Sequence, residues 1–534
     1  MSVKRSKKDK KEKKAKKAKT SSFVLSMPLH YSKQQEDKLN KLFSSCQTLS
    51  NVFLQDRLKA LHEMERTRVY RFAKEGIAKL YENESDKEKW TEEETKEYKR
   101  YVDLLKAFQK KYGFNKFSFR KRIGKFRHHY PTINSRVAQG LADRVWSKFE
   151  KYFFDTGKEI RFISWDNFLS IEGNDNTTGI IFKSDCRKVC LCGTEIPIAN
   201  RPLTDYELEA LDSSLHRVKY CRIVRIHHKH GWLYRLQLIL EGTPPAKGFC
   251  LGDGKVGIDI GTQTVAVASS ENVLLTELAD KANMVYGELR RINRAMDRSR
   301  RAMNPEMFAS NGTIVPINKL PPECVKQNGK RLWRESKNYK ALAIKRRYLY
   351  SRLARLRIVQ HNTLANKLLP FGDTFYVETM RFLALAKKAK AQTEEEVKAN
   401  GGKYKRRKRF GKSIANKAPA SFLNILERKV KARHGNFYRI DTVKAKASQY
   451  NHVTGKCVKK PLSKRWNNDI GGHRVQRDLY SAFLLMNTNR TLDGFVAKDC
   501  KATFENFMNL HDAEIQRLTA TVPTLSSMGI HKAA

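Results

Sequence analysis

Three carboxylates stand out by their setting in this 534-residue chain. Asp259 lies in VGIDIGTQTVAVAS, residues 256 to 269, between apolar residues of a strand pattern and directly before a Gly-Thr turn. Glu378 ends the run DTFYVET after apolar neighbours, where a charge is costly unless metal or water meets it. Asp478 opens RDLYSAFLLM on the helical face of Ala482 and Leu485. The three are 119 and 100 residues apart, which leaves room for helices and a lid between them. Acids converging from two strands and a helix can hold two Mg²⁺ ions about 4 Å apart for phosphodiester hydrolysis. Mg²⁺ takes oxygen ligands, and several carboxylates are needed to offset two divalent charges. Each acid alone also has an ordinary reading, as a solvated strand end or as an N-cap and dipole partner. It is the set of three in a very basic chain that points to metal chemistry.

The hairpin around Asp259 leaves two chemistries open. In the actin, heat-shock ATPase and sugar kinase family, a GIDxGTT strand and turn begin a phosphate-binding hairpin. In the ribonuclease H-like fold of RuvC-type nucleases, the same strand presents an acid to metals. The first chemistry needs a second glycine-rich phosphate turn, and the nearest candidate, NDIGGH at 468 to 473, lacks the following Thr in a strand.

The bulk charge narrows the partners. The chain has 106 Lys+Arg against 55 Asp+Glu, a net charge of +51. Residues 1 to 20 hold eleven basic and two acidic residues, so +42 remains without them. A body that positive calls for a polyanion, and nucleic acid is the commonest one large enough. No apolar run is long enough to span a bilayer and the first residues lack the apolar core of a secretory signal, so the expected location is cytoplasmic and nucleoid-associated. The Lys-rich tail, residues 1 to 21, is expected to be disordered. If it is a localisation signal, the location is nuclear; otherwise it is an electrostatic arm. Nine cysteines are expected to be reduced. Cys186, Cys190 and Cys192 with His227, His228 and His230 invite a zinc site, but no CxxC pair is present there. KVCLCGTEIPI reads as one strand in which Cys190 and Cys192 share a face.

The elements that must position these residues follow from periodicity. One strand, within residues 22 to 36, precedes a helical segment over 37 to 155. Inside that segment, residues 108 to 130 interleave seven aromatics with ten Lys, Arg or His. This mixture suits base stacking beside a phosphate-tracking surface, with Tyr112, Phe117, Arg120, Lys121 and Arg122 as candidates. A buried aromatic core under a solvated basic face is the alternative. Residues 156 to 248 alternate as strands, KEIRFISWDNFLSIEG among them, and predict a small antiparallel, barrel-like β-domain. The helical segment is inserted into it or precedes it. GTPPAKGFCLGDGK, residues 242 to 255, reads as a linker. A mixed α/β domain follows, with basic helices over 283 to 302 and 340 to 358 and a Lys/Arg loop over 403 to 412. No internal repeats are expected.

With these residues on the page, GIDIGTQTVAVAS, VETM, SIANKAPASFLNILERKV, KASQ leading to LSKRW, and VQRDLYSAFLLM resemble the C-terminal half of the TnpB (OrfB) family. These insertion-sequence proteins are related to compact type V CRISPR effector nucleases. The motifs cover about residues 255 to 490, and the N-terminal half matches in layout only. The resemblance implies a multidomain α+β and α/β protein. Its parts are a β wedge (22 to 36 and 156 to 248) carrying a helical recognition lobe (37 to 155), a ribonuclease H-like RuvC domain (249 to 490) and a helical extension (491 to 534). The RuvC domain would carry a lid loop near 387 to 415. The resemblance further implies that Asp259, Glu378 and Asp478 hold two Mg²⁺, and that a guide RNA directs cutting of double-stranded DNA beside a short flanking motif. Arg291, Arg294, Arg346, Arg347, Arg406 and Arg407 would hold the guide–target duplex by its backbone. Many relatives carry two CxxC pairs between KASQ and RDLYSAFL. Here residues 448 to 476 hold only Cys457, with His452 and His473, so no structural zinc is expected and the insert should pack around Trp466. A nuclease-inactive, RNA-guided DNA-binding regulator and an actin-like ATPase remain as alternatives. The oligomeric state is not legible.

Overall fold

The computed structural model describes residues 21–83, 90–154, 157, 159–198, 201–229, 231–245, 248–326, 329–387, 393, 395, 398–399, 401, 410–461, 463–520 and 528–530. The chain divides into two compact units, Met1–Lys247 and Gly248–Ala534. It is a mixed α+β, multidomain fold. Among the described residues no helix is long and apolar enough to cross a membrane.

In the first unit β1 (Ser22–Pro28) pairs antiparallel with a strand more than two hundred residues later, Ser22 opposite Glu241 and Pro28 opposite Arg235. The helices between them are therefore an insertion into the β-structure. They are α1 (Lys33–Arg66), α2 (Arg68–Asn83), α3 (Glu92–Lys111), α4 (Lys116–Arg127) and α5 (Ser135–Phe153). The expected strand segment 22 to 36 is shorter than its range, because a capping box of Ser32 and Gln35 starts α1 at Lys33. α1 buries a stripe at three- and four-residue spacing, including Leu39, Leu42, Phe43, Cys46, Leu49 and Phe53.

The β-part of this unit departs from the sequence expectation in three places. Most of KEIRFISWDNFLSIEG is not strand: only β2 (Ser170–Glu172) forms, after a short turn at Trp165–Asn167. Side chains of α1 supply the missing ladder partners, since the Ile163 amide donates to Asn51 Oδ1 (3.0 Å) and its carbonyl accepts from Gln47 (2.7 Å) and Asn51 (2.9 Å). KVCLCGTEIPI is a hairpin, not one strand: β4 (Lys188–Leu191) and β5 (Thr194–Pro197) join through Cys192 and Gly193. Both turn residues have positive φ, 45° and 76°, the pattern of a type I′ turn. Cys190 is thus on a strand and Cys192 in the turn, and they share no face. The third departure is closure. β3 (Ile180–Lys183), β4 and β5 form one sheet; β1, β7 (Gly231–Glu241), β6 (Val218–His228) and β2 form another. One bridge, Leu29 to Ile198, links them in place of a continuous barrel ladder. A short helix, α6 (Asp205–Leu211), lies between β5 and β6.

The second unit is built on a five-stranded sheet in the order β10-β9-β8-β11-β12. β8 (Lys255–Ile260), β9 (Thr264–Ala268) and β10 (Val273–Glu277) form an antiparallel meander, while β11 (Thr374–Glu378) and β12 (Asn436–Ile440) run parallel to β8. Parallel neighbours need crossover connections. α7 (Ala282–Met303) and α8 (Lys337–Leu368) carry the chain from β10 to β11. α9 (Phe382–Ala386), α10 (Gly411–Lys417) and α11 (Pro419–Lys431) carry it on to β12. One sheet face packs on α8 and α11 through Val256, Ile258, Phe375, Val377, Phe422 and Leu426. The other packs on α13 (Arg477–Met486) and α14 (Ala497–Ala520) through Ala266, Ala268, Leu479, Phe483 and Phe507. A short helix, α12 (Thr442–Ala445), and the β13–β14 hairpin (Trp466–Ile470, His473–Gln476) precede α13.

The expectation of no internal repeats is corrected between α7 and α8. PEMFASNGTIV at 305 to 315 and PECVKQNGKRL at 322 to 332 each open with a 3₁₀ turn and carry a bridge, Phe308 to Ile314 and Val325 to Arg331, residues 327 and 328 lying outside the described ones. Their hydrogen bonds recur 17 residues apart. Val315 N donates to the Met307 carbonyl as Leu332 N does to Cys324, Ala309 N to Thr313 as Lys326 N to Lys330, and Gly312 N to Ala309 as Gly329 N to Lys326. Only Pro, Glu, Asn and Gly are shared across the eleven positions, too few to stand out in the sequence.

Candidate metal-binding acid cluster

Asp259 and Glu378 are placed by strand register. β8 and β11 pair in parallel up to Ile258 opposite Val377. The next residue on each strand is the acid, so the two carboxylates leave neighbouring strands, with backbones about 4.8 Å apart, on one side of the sheet. Ile258 and Val377 are fully buried on the opposite side. This edge is the carboxyl end of two parallel strands, where open α/β sheets bind their ligands.

Asp478 arrives from above. A Cβ at Gly257 would come within 2.0 Å of the Ala482 carbonyl oxygen and 2.3 Å of the Met486 nitrogen. Gly257 is therefore what lets the backbone of α13 lie directly on β8. From that contact the strand runs two residues, about 6.6 Å, to Asp259. The helix runs four residues back, about 6 Å along the same face, to Asp478. The two rails deliver both acids to one place. Asp478 also lies in the first turn of α13, where the helix dipole favours negative charge.

The electrostatics agree with this convergence. Burial raises the Asp259 pKa well above the ordinary carboxylate range, and the charges of Asp478 and Glu378 raise it further. Arg477 and Arg465 act in the opposite sense and are the smaller influences. Burial pushes Glu378 up to about 7. All three acids keep partial exposure, so the cluster is open to solvent. The Asp478 carboxylate is turned onto Arg477, with Nη2 to Oδ1 at 3.0 Å, and Arg465 lies 3.6 Å from its other oxygen. Among the described residues no three His, Cys, Asp or Glu side chains stand close enough together, as arranged, to ligate one ion. The donor chemistry nevertheless fits a hard divalent cation: three carboxylates, two of them destabilised as anions, with no cation at hydrogen-bonding distance of Asp259 or Glu378 among the ion pairs of the described residues. Sequence reasoning did not single out Arg465 and Arg477. Their signal was present in SKRW and in the Arg directly before Asp478.

The other sequence-chosen residues are dispersed. Phe117 is 77% exposed on α4 and Lys121 is exposed. Tyr112 is half-buried against the core of the first unit. Arg120 grips Asp143 with two hydrogen bonds (2.7 and 2.5 Å) and Arg122 binds Asp56 (2.8 Å). Phe114 and Phe119 of the same stretch are core, so its aromatics divide between packing and surface. Arg291 and Arg294 are exposed on α7, and Arg346 and Arg347 are half-buried on α8. Arg406 and Arg407 lie outside the described residues.

The insert at 448 to 476 has two anchors. Buried His452 places Nδ1 2.8 Å from the Tyr480 hydroxyl, and its ring packs 4.7 Å from Phe504. Trp466 donates to the Gly529 carbonyl (2.8 Å) and carries Arg474 over its ring. Cys457 is exposed. In the first unit His227 leans on Trp232, with ring centroids 4.2 Å apart. NDIGGH forms the β13–β14 turn, with Gly471 and Gly472 at positive φ, in a two-stranded sheet of its own.

No family model matches the sequence, and no curated protein matches it. Among solved structures the fold is similar to that in a cryo-EM structure of a Cas12f1–sgRNA–target DNA complex, with 11% identity and a TM-score of 0.41 over 89% of this chain and 99% of that one. A CRISPR–Cas12f ternary complex overlaps with 13% identity and a TM-score of 0.25 over 86% of each chain.

Proposed function

We propose that the chain is an RNA-guided, Mg²⁺-dependent DNA endonuclease of the TnpB type, working in transposon maintenance, with a ribonuclease H-like second unit. The observation that carries this reading is the delivery of Asp259, Glu378 and Asp478 to one strand edge by register and by the Gly257 contact. Two Mg²⁺ held by these acids would supply activation of water and stabilisation of the leaving 3′ oxygen. The chain's own part is to hold three anions together in a partly desolvated recess, at a cost visible in the raised pKa values of Asp259 and Glu378. Arg477 and Arg465 balance Asp478, and both would offer positive charge to a scissile phosphate bound at the cluster. The net charge of +51 supports a guide RNA and a double-stranded DNA target as the partners. The exposed Arg291 and Arg294 on α7, together with Arg346 and Arg347 on α8, are assigned to the duplex backbone. Residues 37 to 155 are assigned as recognition lobe and 156 to 248 as wedge.

The hold of Arg477 and Arg465 on Asp478 favours a second reading, a guide-bound regulator that binds DNA without cutting. One experiment decides. The full chain, purified with its co-purifying RNA, is incubated with DNA matching that RNA in Mg²⁺ or in EDTA. Cleavage in Mg²⁺ that falls at least about 10³-fold in Asp259→Ala, with DNA binding kept, supports the nuclease. Binding without cleavage in either buffer establishes the regulator.

A further inference from the structure

The segment after α13 reads in sequence as an extension beyond the nuclease domain, yet its buried polar groups converge on the residues flanking Asp478. Gln476 is fully buried and is the N-cap of α13, its side chain accepting from the Leu479 amide at 2.8 Å. Its own backbone amide donates to Nε2 of His511 on α14 (3.0 Å), and its side-chain nitrogen donates to the Met528 carbonyl (3.1 Å). His511 is 1% exposed, and its Nδ1 lies 2.8 Å from the Asp512 carboxylate. An imidazole nitrogen that accepts from an amide carries no proton, so the ring proton sits on Nδ1 and points at Asp512. Burial also pushes the His511 pKa below its ordinary value, which keeps the ring neutral. A second arm comes from the same segment. Gly529, at φ +69°, lies so close to Arg465 that a Cβ there would meet the Arg465 Cβ at 2.4 Å. Arg465 is one of the two arginines at Asp478, and its carbonyl accepts from the Arg477 amide at 2.9 Å.

We propose that His511 and the Met528–Gly529 segment are a positioning clamp for Asp478: His511 fixes the start of the helix that carries the acid, and Gly529 seats the arginine that faces it. His511 touches neither the acid nor anything bound to it and acts through Gln476. Groups that hydrogen-bond a metal ligand directly typically change metal affinity by about 10- to 100-fold when removed, and His511, one step further out, is expected at the lower end of that range. The clamp rests on the reading of the three acids as metal ligands.

The test measures Mn²⁺ binding to the full chain by electron paramagnetic resonance, without nucleic acid, alongside DNA cleavage. His511→Leu keeps bulk and removes the acceptor; His511→Gln restores a carbonyl acceptor of similar reach; Gly529→Ala disturbs the Arg465 arm and leaves His511 intact. The clamp requires about 10-fold or greater weakening of Mn²⁺ binding in His511→Leu and Gly529→Ala, and substantial rescue in His511→Gln. Unchanged affinity in both Leu and Ala variants overturns it. So does a Gln variant as weak as Leu, which would make His511 a packing residue. If His511→Leu does not fold, Gly529→Ala with the Gln variant still decides. Failure of the underlying reading looks different: the unsubstituted chain then binds no Mn²⁺ that Asp259→Ala removes, and the clamp falls with it.

Discussion

Each unit holds a charged site away from bulk water, Arg225 in the first and the acid cluster in the second, and the two are solved in opposite ways. In the first unit Arg225 is 1% exposed and forms no ion pair among the described salt bridges. Its guanidinium lies between the rings of Trp165 and Trp232, 3.7 and 3.9 Å from their centroids. Nε and Nη2 donate to the carbonyls of Phe168 (2.9 Å) and Trp165 (2.5 Å). Nη1 alone finds no acceptor among the described residues. Burial lowers its pKa to about 10, which still leaves it charged at neutral pH. In the second unit three carboxylates share one strand edge, and two of them meet no such accommodation. A buried charge held by rings and carbonyls of its own unit is a structural device. A cluster of like charges short of partners among the described residues is a candidate functional site, and the proposed metal ions would complete its charge balance.

Substitutions that break this contrast separate the two kinds of site. The largest effect is expected from Asp259→Asn, which keeps the shape and removes the charge. Cleavage of guide-matched DNA should fall at least about 10³-fold, while the metal-free protein should melt at a higher temperature because the repulsion is gone. Calorimetry beside a cleavage assay reads both. A lower melting temperature would mean that Asp259 is a stabilising group and the contrast is wrong. Next, Arg225→Leu should destabilise the first unit by about 3 kcal/mol in urea unfolding, since it strands two carbonyls and leaves space between two indoles. Cleavage per folded molecule should remain within about threefold of the unsubstituted chain, as expected when a group serves structure alone.

The pH dependence sharpens the acid side. Glu378 has a pKa of about 7 in the fold and an ordinary value of 4.5. Between these values the folded, metal-free chain holds a proton that the unfolded chain has released. Its contribution is therefore fully present below 4.5 and is lost as pH rises through about 7. The expected loss is about 3 kcal/mol across that window. Glu378→Gln should flatten the loss, and Mg²⁺ at pH 8 should stabilise the unsubstituted chain but not the variant. Equal slopes in both proteins would remove Glu378 from the cluster.

What the sequence made legible follows from how each constraint is encoded. Asp259, Glu378 and Asp478 were readable because a charge inside an apolar pattern is a local contradiction that needs a cause. Their convergence was expected from the family resemblance and not from the local pattern, because it depends on the Val377–Ile258 register and on backbone contact at Gly257, both set by distant segments. The same distance hid the loss of strand at 159 to 169, where Gln47 and Asn51 take the place of a neighbouring strand. KVCLCGTEIPI differs: its Cys-Gly turn is a local signal, but the apolar alternation runs on across it and masks the break. The duplicated segments were hidden because hydrogen bonding repeats while side chains do not.

The smallest expected effect concerns the exposed basic faces, where neither kind of buried site is involved. Arg291 and Arg294 stand in solvent on α7, on turns that also bury Leu289, Ile292 and Met296, so their charges do no packing work. Replacing both by Ala should change stability by less than about 0.5 kcal/mol. If each neutralises one phosphate of a duplex, the slope of log K against log salt should become shallower by about 1.8. Binding across 50 to 200 mM salt, roughly the range over which such slopes are measured, would show this as a loss of affinity that shrinks as salt rises. A parallel shift without a change of slope would mean that the two arginines shape the surface without touching phosphate, and the duplex would then have to be held elsewhere on the chain.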